Sequence, residues 1–286
     1  MSVDRLQDKI RKTKNPSVLF LEAVPQWLPA TVVEQEPELA RAFDRYFREL
    51  LSGLKDIVPC VRFGFGSFAL LGVKGMEVLK GLIQYAKELG YYVLMDLPEL
   101  LTPNAAASAV KAVDDFACDG VVAGCYLGSD VLTPLSQLCR DGKSVFGVCR
   151  TANRSAVELQ DLLTGGRHAH TAAADVIFRY AEPVMAKCGY SQLGIMAGAS
   201  SAQSLKTLRT KFPKLFLLLD GYDYPNANAK NCENAFDRLG HGAAACASSS
   251  IAAAWMIAEE GGDYVQQAIA AAQRMKKNLN RYVTVL

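Results

Sequence analysis

The chain has 286 residues, half of them apolar and 21% charged, with a formal net charge of +2. That balance belongs to an ordinary globular protein and argues against partners held by bulk charge, such as nucleic acid or an anionic membrane. No stretch approaches the roughly 18 apolar residues of a membrane helix, because the Ala-rich segment 243–254 is broken by Ser248, Ser249 and Ser250. The eight cysteines contain no Cys-x-x-Cys pair, so they are expected to pack as small hydrophobes and not to bind metal or form disulfides. A cytoplasmic protein without a cofactor is the expectation.

The segment Met1 to Pro16 sets Asp4, Arg5, Lys9, Arg11, Lys12 and Lys14 around Leu6 and Ile10, which predicts a short amphipathic helix and not a signal peptide. Beyond it, short apolar or β-branched runs alternate with helical patterns. The predicted strands are Val18 to Glu22, Val58 to Gly64, Tyr91 to Leu97, Gly120 to Gly124, Ser144 to Cys149, Gln192 to Ala197, Leu215 to Asp220 and Ala243 to Ala247. In the second intervening helix Met76, Leu79, Ile83 and Ala86 share one face, with Lys80, Lys87 and Glu88 turned to water.

Runs as continuous as Leu215-Phe216-Leu217-Leu218-Leu219 suit parallel strands covered on both faces. Eight βα units in a chain of this length predict a single (β/α)₈ barrel domain over residues 1–286, with eight helices outside and the short helix at the amino end. A doubly wound sheet would want a glycine-rich turn after its first strand. Here Leu21-Glu22 is followed by Ala-Val-Pro-Gln-Trp.

Barrel chemistry sits at the carboxyl ends of the strands. The residues to examine are therefore Glu22, Arg62, Asp96, Glu99, Tyr126, Asn153, Ser200, Asp220 and Ser249. Clustered carboxylates there could hold Mg²⁺ or work as an acid and base, but a closed network in which Asp96 and Glu22 pair with Arg62 is the favoured reading. His168 and His170 lie on the loop after the fifth strand. Lacking a third ligand at fixed spacing, they read as a solvated polar loop and not as a metal site, and His241, at the other end of the barrel, reads as structural.

The segments Asp4-Arg5-Leu6 with Lys14-Asn15-Pro16, Tyr126-Leu127-Gly128-Ser129-Asp130, Glu158-Leu159-Gln160-Asp161-Leu162, Gly189-Tyr190-Ser191, Gly198-Ala199-Ser200, and Ala235-Phe236 ahead of Gly240-His241-Gly242-Ala243 follow one another along the chain. In that order they resemble the longer bacterial subfamily of orotidine 5′-monophosphate decarboxylases. The resemblance implies a barrel that works as a homodimer on a phosphorylated substrate. It also implies an alternating Lys-Asp-Lys-Asp array, in which an aspartate crowds the departing carboxylate and a lysine stabilises and then protonates the carbanion.

Matched to that pattern, Asp96 stands at the first aspartate of Asp-x-Lys-x-x-Asp, but Pro98 stands at the lysine and Leu101 at the second aspartate. Arg62 matches the second-strand lysine, and a guanidinium keeps the charge but cannot act as a proton donor. Glu22 matches the ribose-binding aspartate, Ala152 the serine that reads the pyrimidine, Pro225 a glutamine, and Ser249 the phosphate-binding arginine. Small residues such as Gly198, Ser200, Gly221 and Ser249, with Asn153 nearby, could still offer backbone N–H groups to a phosphorylated ligand.

Three readings follow. The chain is a non-catalytic relative of the decarboxylases, an enzyme of changed chemistry using Asp96, Glu99, Arg62 or the loop histidines, or an active decarboxylase whose lysine comes from elsewhere, Lys74 or Lys143 being the candidates.

Overall fold

The computed structural model describes residues 1–97, 102–258 and 263–286. Eight parallel strands close into a barrel: β1 (Ser17–Leu21), β2 (Cys60–Gly64), β3 (Tyr92–Asp96), β4 (Gly120–Gly124), β5 (Ser144–Arg150), β6 (Ser191–Gly198), β7 (Leu215–Asp220) and β8 (Ala243–Ala247). Each pairs in parallel with its sequence neighbours, and β1 closes the ring on β8 through Ser17↔Ala245 and Leu19↔Ala247. The barrel expected from the sequence is the fold observed.

Helix α1 (Ser2–Thr13) precedes β1, and each strand is followed by a helix. These are α2 (Leu39–Leu54), α3 (Gly72–Glu88), α4 (Pro103–Asp115), α5 (Ser129–Arg140), α6 (Ala169–Ala181), α7 (Ala202–Lys211), the five-residue α8 (Ala229–Glu233) and α9 (Tyr264–Leu279). In α3 the face bearing Leu79, Leu82, Ile83 and Ala86 is buried against the barrel, as the periodicity requires, while Met76 is only partly covered. Lys87 departs from the expected water-facing position. Its ammonium folds back to lie 2.6 Å from the buried Asp119 carboxylate.

Strand limits moved by one or two residues for identifiable reasons. Val58 lies just past the turn that follows α2, where its N–H donates to Leu54 O, and Pro59 has no N–H to give a ladder. At the other extreme β5 runs on to Arg150 through a register shift between Val148 and Arg150, a bulge of the sort that re-aims side chains at a strand end.

Helix α1 closes the amino-terminal end of the barrel, burying Val3, Leu6 and Ile10. The Ser2 N–H donates to Gln192 Oε1 at 2.7 Å, and its hydroxyl lies 2.6 Å from the Tyr92 hydroxyl. The opposite, carboxyl-terminal end is the mouth. Between β5 and α6 the chain forms a two-residue antiparallel hairpin, Leu163–Thr164 against Arg167–His168. Among the described residues no helix is long and apolar enough to cross a membrane.

Candidate functional site

Arg62 points into the barrel from β2 and is 3% exposed. Its NH2 lies 2.7 Å from Asp96 Oδ2 at the end of the neighbouring β3, and its NH1 lies 2.6 Å from Asp220 Oδ1 at the end of β7. The guanidinium also sits over the Phe20 ring, 4.0 Å from its centroid. Burial alone would disfavour the cation, but the two carboxylates outweigh it and hold the arginine's pKa well above its ordinary value.

The predicted ion-pair network is therefore real for Asp96 and takes a different second partner. Asp220 fills the place expected of Glu22. Glu22 follows β1, half-buried, and accepts a long hydrogen bond from Ser248 Oγ at 3.4 Å. Burial is the largest cause pushing its pKa up, Arg62 pulls it down, and the charges of Asp96 and Asp220 push it up again. Glu22 thus keeps its proton to a higher pH than an exposed glutamate.

A second group of candidates packs tightly around the ends of β5, β6 and β7, beside Asp220. Gly221 turns the chain after β7 with φ +68°, and a Cβ there would come 2.3 Å from Ala152 Cβ and 2.6 Å from the Tyr224 ring. At Gly198 a Cβ would meet Thr151 O at 2.6 Å and Ala152 Cα at 2.7 Å. Ala152 is buried between them, and Ser200 Oγ donates to its carbonyl at 3.3 Å. Asn153 is exposed, and its Oδ1 accepts from Thr151 Oγ1. Tyr126, also exposed, donates its hydroxyl to Cys149 O.

Backbone donors in the last loops are partly engaged by the protein itself. Ala199 N–H donates to Asp220 O at 2.8 Å, and Ser248 N–H donates to Asp223 Oδ2. Ser249 is half-buried and opens the four-residue helix Ser249–Ala252. Within the described residues the mouth therefore carries the carboxyl groups of Glu22, Asp96, Asp220 and Asp223 against the guanidinium of Arg62.

Pro98, Glu99 and Leu101 lie outside the described residues. Lys74 and Lys143 are engaged elsewhere. The Lys74 ammonium pairs with Glu38 at 2.8 Å, and that of Lys143 donates to Cys118 O at 2.8 Å.

The histidine loop needs correction. His168 is exposed as expected, but His170 is 2% exposed in the first turn of α6, its Nδ1 2.9 Å from Gln160 O and 3.1 Å from Asp161 Oδ1. The two rings stack at 5.2 Å between centroids. Asp161 is also gripped by Arg150, Nε to Oδ1 at 2.9 Å and NH2 to Oδ2 at 3.0 Å, which holds its pKa below the ordinary carboxylate value. The group is a latch between the end of β5 and the hairpin. No cluster of three or more His, Cys, Asp or Glu suited to a metal ion occurs among the described residues.

Sequence reasoning missed Phe20, Asp223 and the Arg150–Asp161 pair. The burial of His170 did have a readable signal, since His170, Ala173, Ala174, Ile177 and Ala181 follow the spacing of one buried helix face. Asp223 and Phe20 are recognisable only once the loops and lumen are assembled.

A closed parallel barrel with a charged cluster at the carboxyl ends of its strands defines the class: a (β/α)₈ barrel protein with its candidate site where barrel enzymes carry theirs. No family model matches the chain. It is 26% identical over 263 residues to the orotidine 5′-phosphate decarboxylase of Clostridium novyi, covering 91% of each chain. To that of Rhodopirellula baltica it is 28% identical over 241 residues, covering 81% of this chain and 80% of the relative. The solved Leishmania donovani OMP decarboxylase superposes with a TM-score of 0.76 at 20% identity, covering 98% of both chains. The Methanocaldococcus jannaschii enzyme, complexed with the inhibitor BMP, gives 0.61 at 13% identity, covering 91% of this chain and 98% of that one. Over nearly its whole length the chain is therefore similar to orotidine 5′-phosphate decarboxylases in sequence and shares their barrel fold.

Proposed function

We propose that this chain is a member of the orotidine 5′-phosphate decarboxylase family that does not decarboxylate orotidine 5′-monophosphate, and that its whole length forms one cytoplasmic barrel domain, inactive in that reaction or altered in chemistry. The observation that carries the reading is Arg62. It matches the second-strand lysine of the family and is tied to Asp96 and Asp220. A guanidinium held in this way stays charged at every accessible pH, so it cannot pass a proton to a carbanion. Lys74 and Lys143, the two lysines considered as replacements, are committed to other partners.

The surplus of carboxyl groups at the mouth, with Ser249 at the matched arginine position, supports a weakened grip on a phosphorylated ligand. A homodimer fits the exposed large apolar side chains on the loops after β4 and β5, among them Tyr126, Leu127, Leu159, Leu162 and Leu163. Expression in a strain that lacks its own decarboxylase tests the activity. Growth without added uracil would refute the proposal, and absence of growth with the protein present in soluble form supports it.

A second reading, of changed chemistry, draws on Glu22. A half-buried carboxyl that retains its proton beside a fixed guanidinium has the character of a general acid. Hydrolysis or isomerisation of an added phosphorylated sugar, lost in Glu22→Gln with the fold intact, would favour it.

A further inference from the structure

We propose that a cleft at the amino-terminal end of the barrel, remote from the mouth, binds a phosphate-class dianion, free or as a monoester. The cleft has a volume of about 550 Å³ and is bordered by Arg5, Arg11, Lys187 and His241, with Asp4 and Asp8 as its acidic members. Its size lies within the range of small-molecule sites.

Arg5, Arg11 and Lys187 face Asp4 and Asp8. Asp4 Oδ1 accepts the Cys188 N–H at 2.7 Å, its Oδ2 makes no hydrogen bond but lies 3.3 Å from the Met1 ammonium, and Asp8 lies 3.7 Å from Arg11. Arg5 and Arg11 are each about half exposed, at 54%, so their guanidinium groups remain accessible although Arg5 NH1 lies 2.9 Å from Asp119 Oδ1 and Arg11 Nε donates to Leu286 O at 3.3 Å. His241 Nε2 lies 2.8 Å from Leu286 O.

The floor of the cleft supplies an independent observation. Gln7 is 3% exposed, and its Oε1 accepts the Gly242 N–H at 3.1 Å, which fixes the orientation of the amide. Its Nε2 is left without a hydrogen-bond partner among the described residues. A buried donor in that condition is costly, and an acceptor entering the cleft relieves the cost. A phosphate group has the charge and the several acceptor oxygens to engage an amide and two or three cations together, where a single carboxylate has two oxygens.

The test is isothermal titration calorimetry of the full chain at low ionic strength, with inorganic phosphate in one arm and uridine 5′-monophosphate in the other. Saturable binding in either arm is expected, weakened about tenfold or more in both Arg11→Gln and Lys187→Gln. Those side chains are on the surface, so unchanged thermal melting will show the variants folded. Ser249→Asp, which adds a carboxylate at the mouth, is expected to leave the affinity unchanged. Binding in both arms assigns the site to monoesters, and binding in the inorganic arm alone assigns it to free phosphate. No saturable binding up to millimolar concentration overturns the proposal, as does an affinity that survives either cleft substitution or is lost in Ser249→Asp.

Discussion

Arg62 reaches across the barrel lumen from β2 to Asp220 at the end of β7, its NH1 2.6 Å from Oδ1, while the same guanidinium holds Asp96 on the adjacent strand. One buried cation thus joins strands that are three apart in the ring. Replacing it removes the guanidinium from Asp96 and Asp220, with Glu22 nearby. Arg62→Met is expected to cost about 3 to 5 kcal/mol, the usual penalty for breaking a buried pair from one side. Adding Asp96→Asn and Asp220→Asn should recover much of it. Urea midpoints of the single and triple variants measure both, and a single variant as stable as the parent would show that the bridge contributes little.

Glu22 makes the protein's stability depend on pH in an unusual direction for a carboxylate. Its folded pKa is raised above the ordinary 4.5, so between those values the folded state holds a proton that the unfolded state has released. Stability from this group is fully present below 4.5 and is lost as pH rises through the raised value. Glu22→Gln should therefore gain on the parent as pH is raised through that window, then hold a constant advantage. Parallel urea midpoints at every pH from 4 to 8 would contradict this.

Asp161 behaves oppositely. Arg150 holds its pKa down, so its contribution is present above the ordinary 3.8 and disappears as pH falls through the lowered value. Asp161→Asn should loosen the latch, and hydrogen exchange at His170 and Ala169, whose N–H groups donate to Gln160 O and Leu162 O, should accelerate at neutral pH. Exchange unchanged there would show the hairpin to be held by its backbone alone.

Gly221→Ala should destabilise by about 1 to 3 kcal/mol, since it combines a positive φ with a Cβ forced against Ala152 and Tyr224. Thermal melting checks it. An unchanged Tm would mean that the loop after β7 yields freely.

The architecture was legible because parallel strands covered on both faces must be continuously apolar, as Leu215 to Leu219 are, and such runs stand out between amphipathic helices. The site was legible only in part. Arg62 and Asp96 could be placed at strand ends and matched to a motif, but the Arg62–Asp220 contact joins residues 158 apart, and no local pattern says which lumen side chains meet. His170 was misjudged because glycines in Gly165-Gly166 suggest a loop, whereas the helix begins at Ala169 and turns the ring inward. Asp223 escaped notice because its partner is a backbone N–H on another loop.

On the proposed reading, no lysine among the described residues of the mouth stands ready to protonate a carbanion in decarboxylation. If the proposed matches hold, restoring Pro98→Lys and Leu101→Asp without Ser249→Arg should still yield little activity, because a poorly held phosphate contributes little binding energy to the reaction and groups that act together are not recovered one at a time.

The most direct measurement follows the absorbance of orotidine 5′-monophosphate over hours with the parent protein at substrate concentration. Loss of one preorganised electrostatic group can cost about two to three orders of magnitude, and the proposed reading has more than one replaced. The account predicts no conversion to uridine 5′-monophosphate above the protein-free control. Robust turnover, abolished by Asp96→Ala, would contradict it.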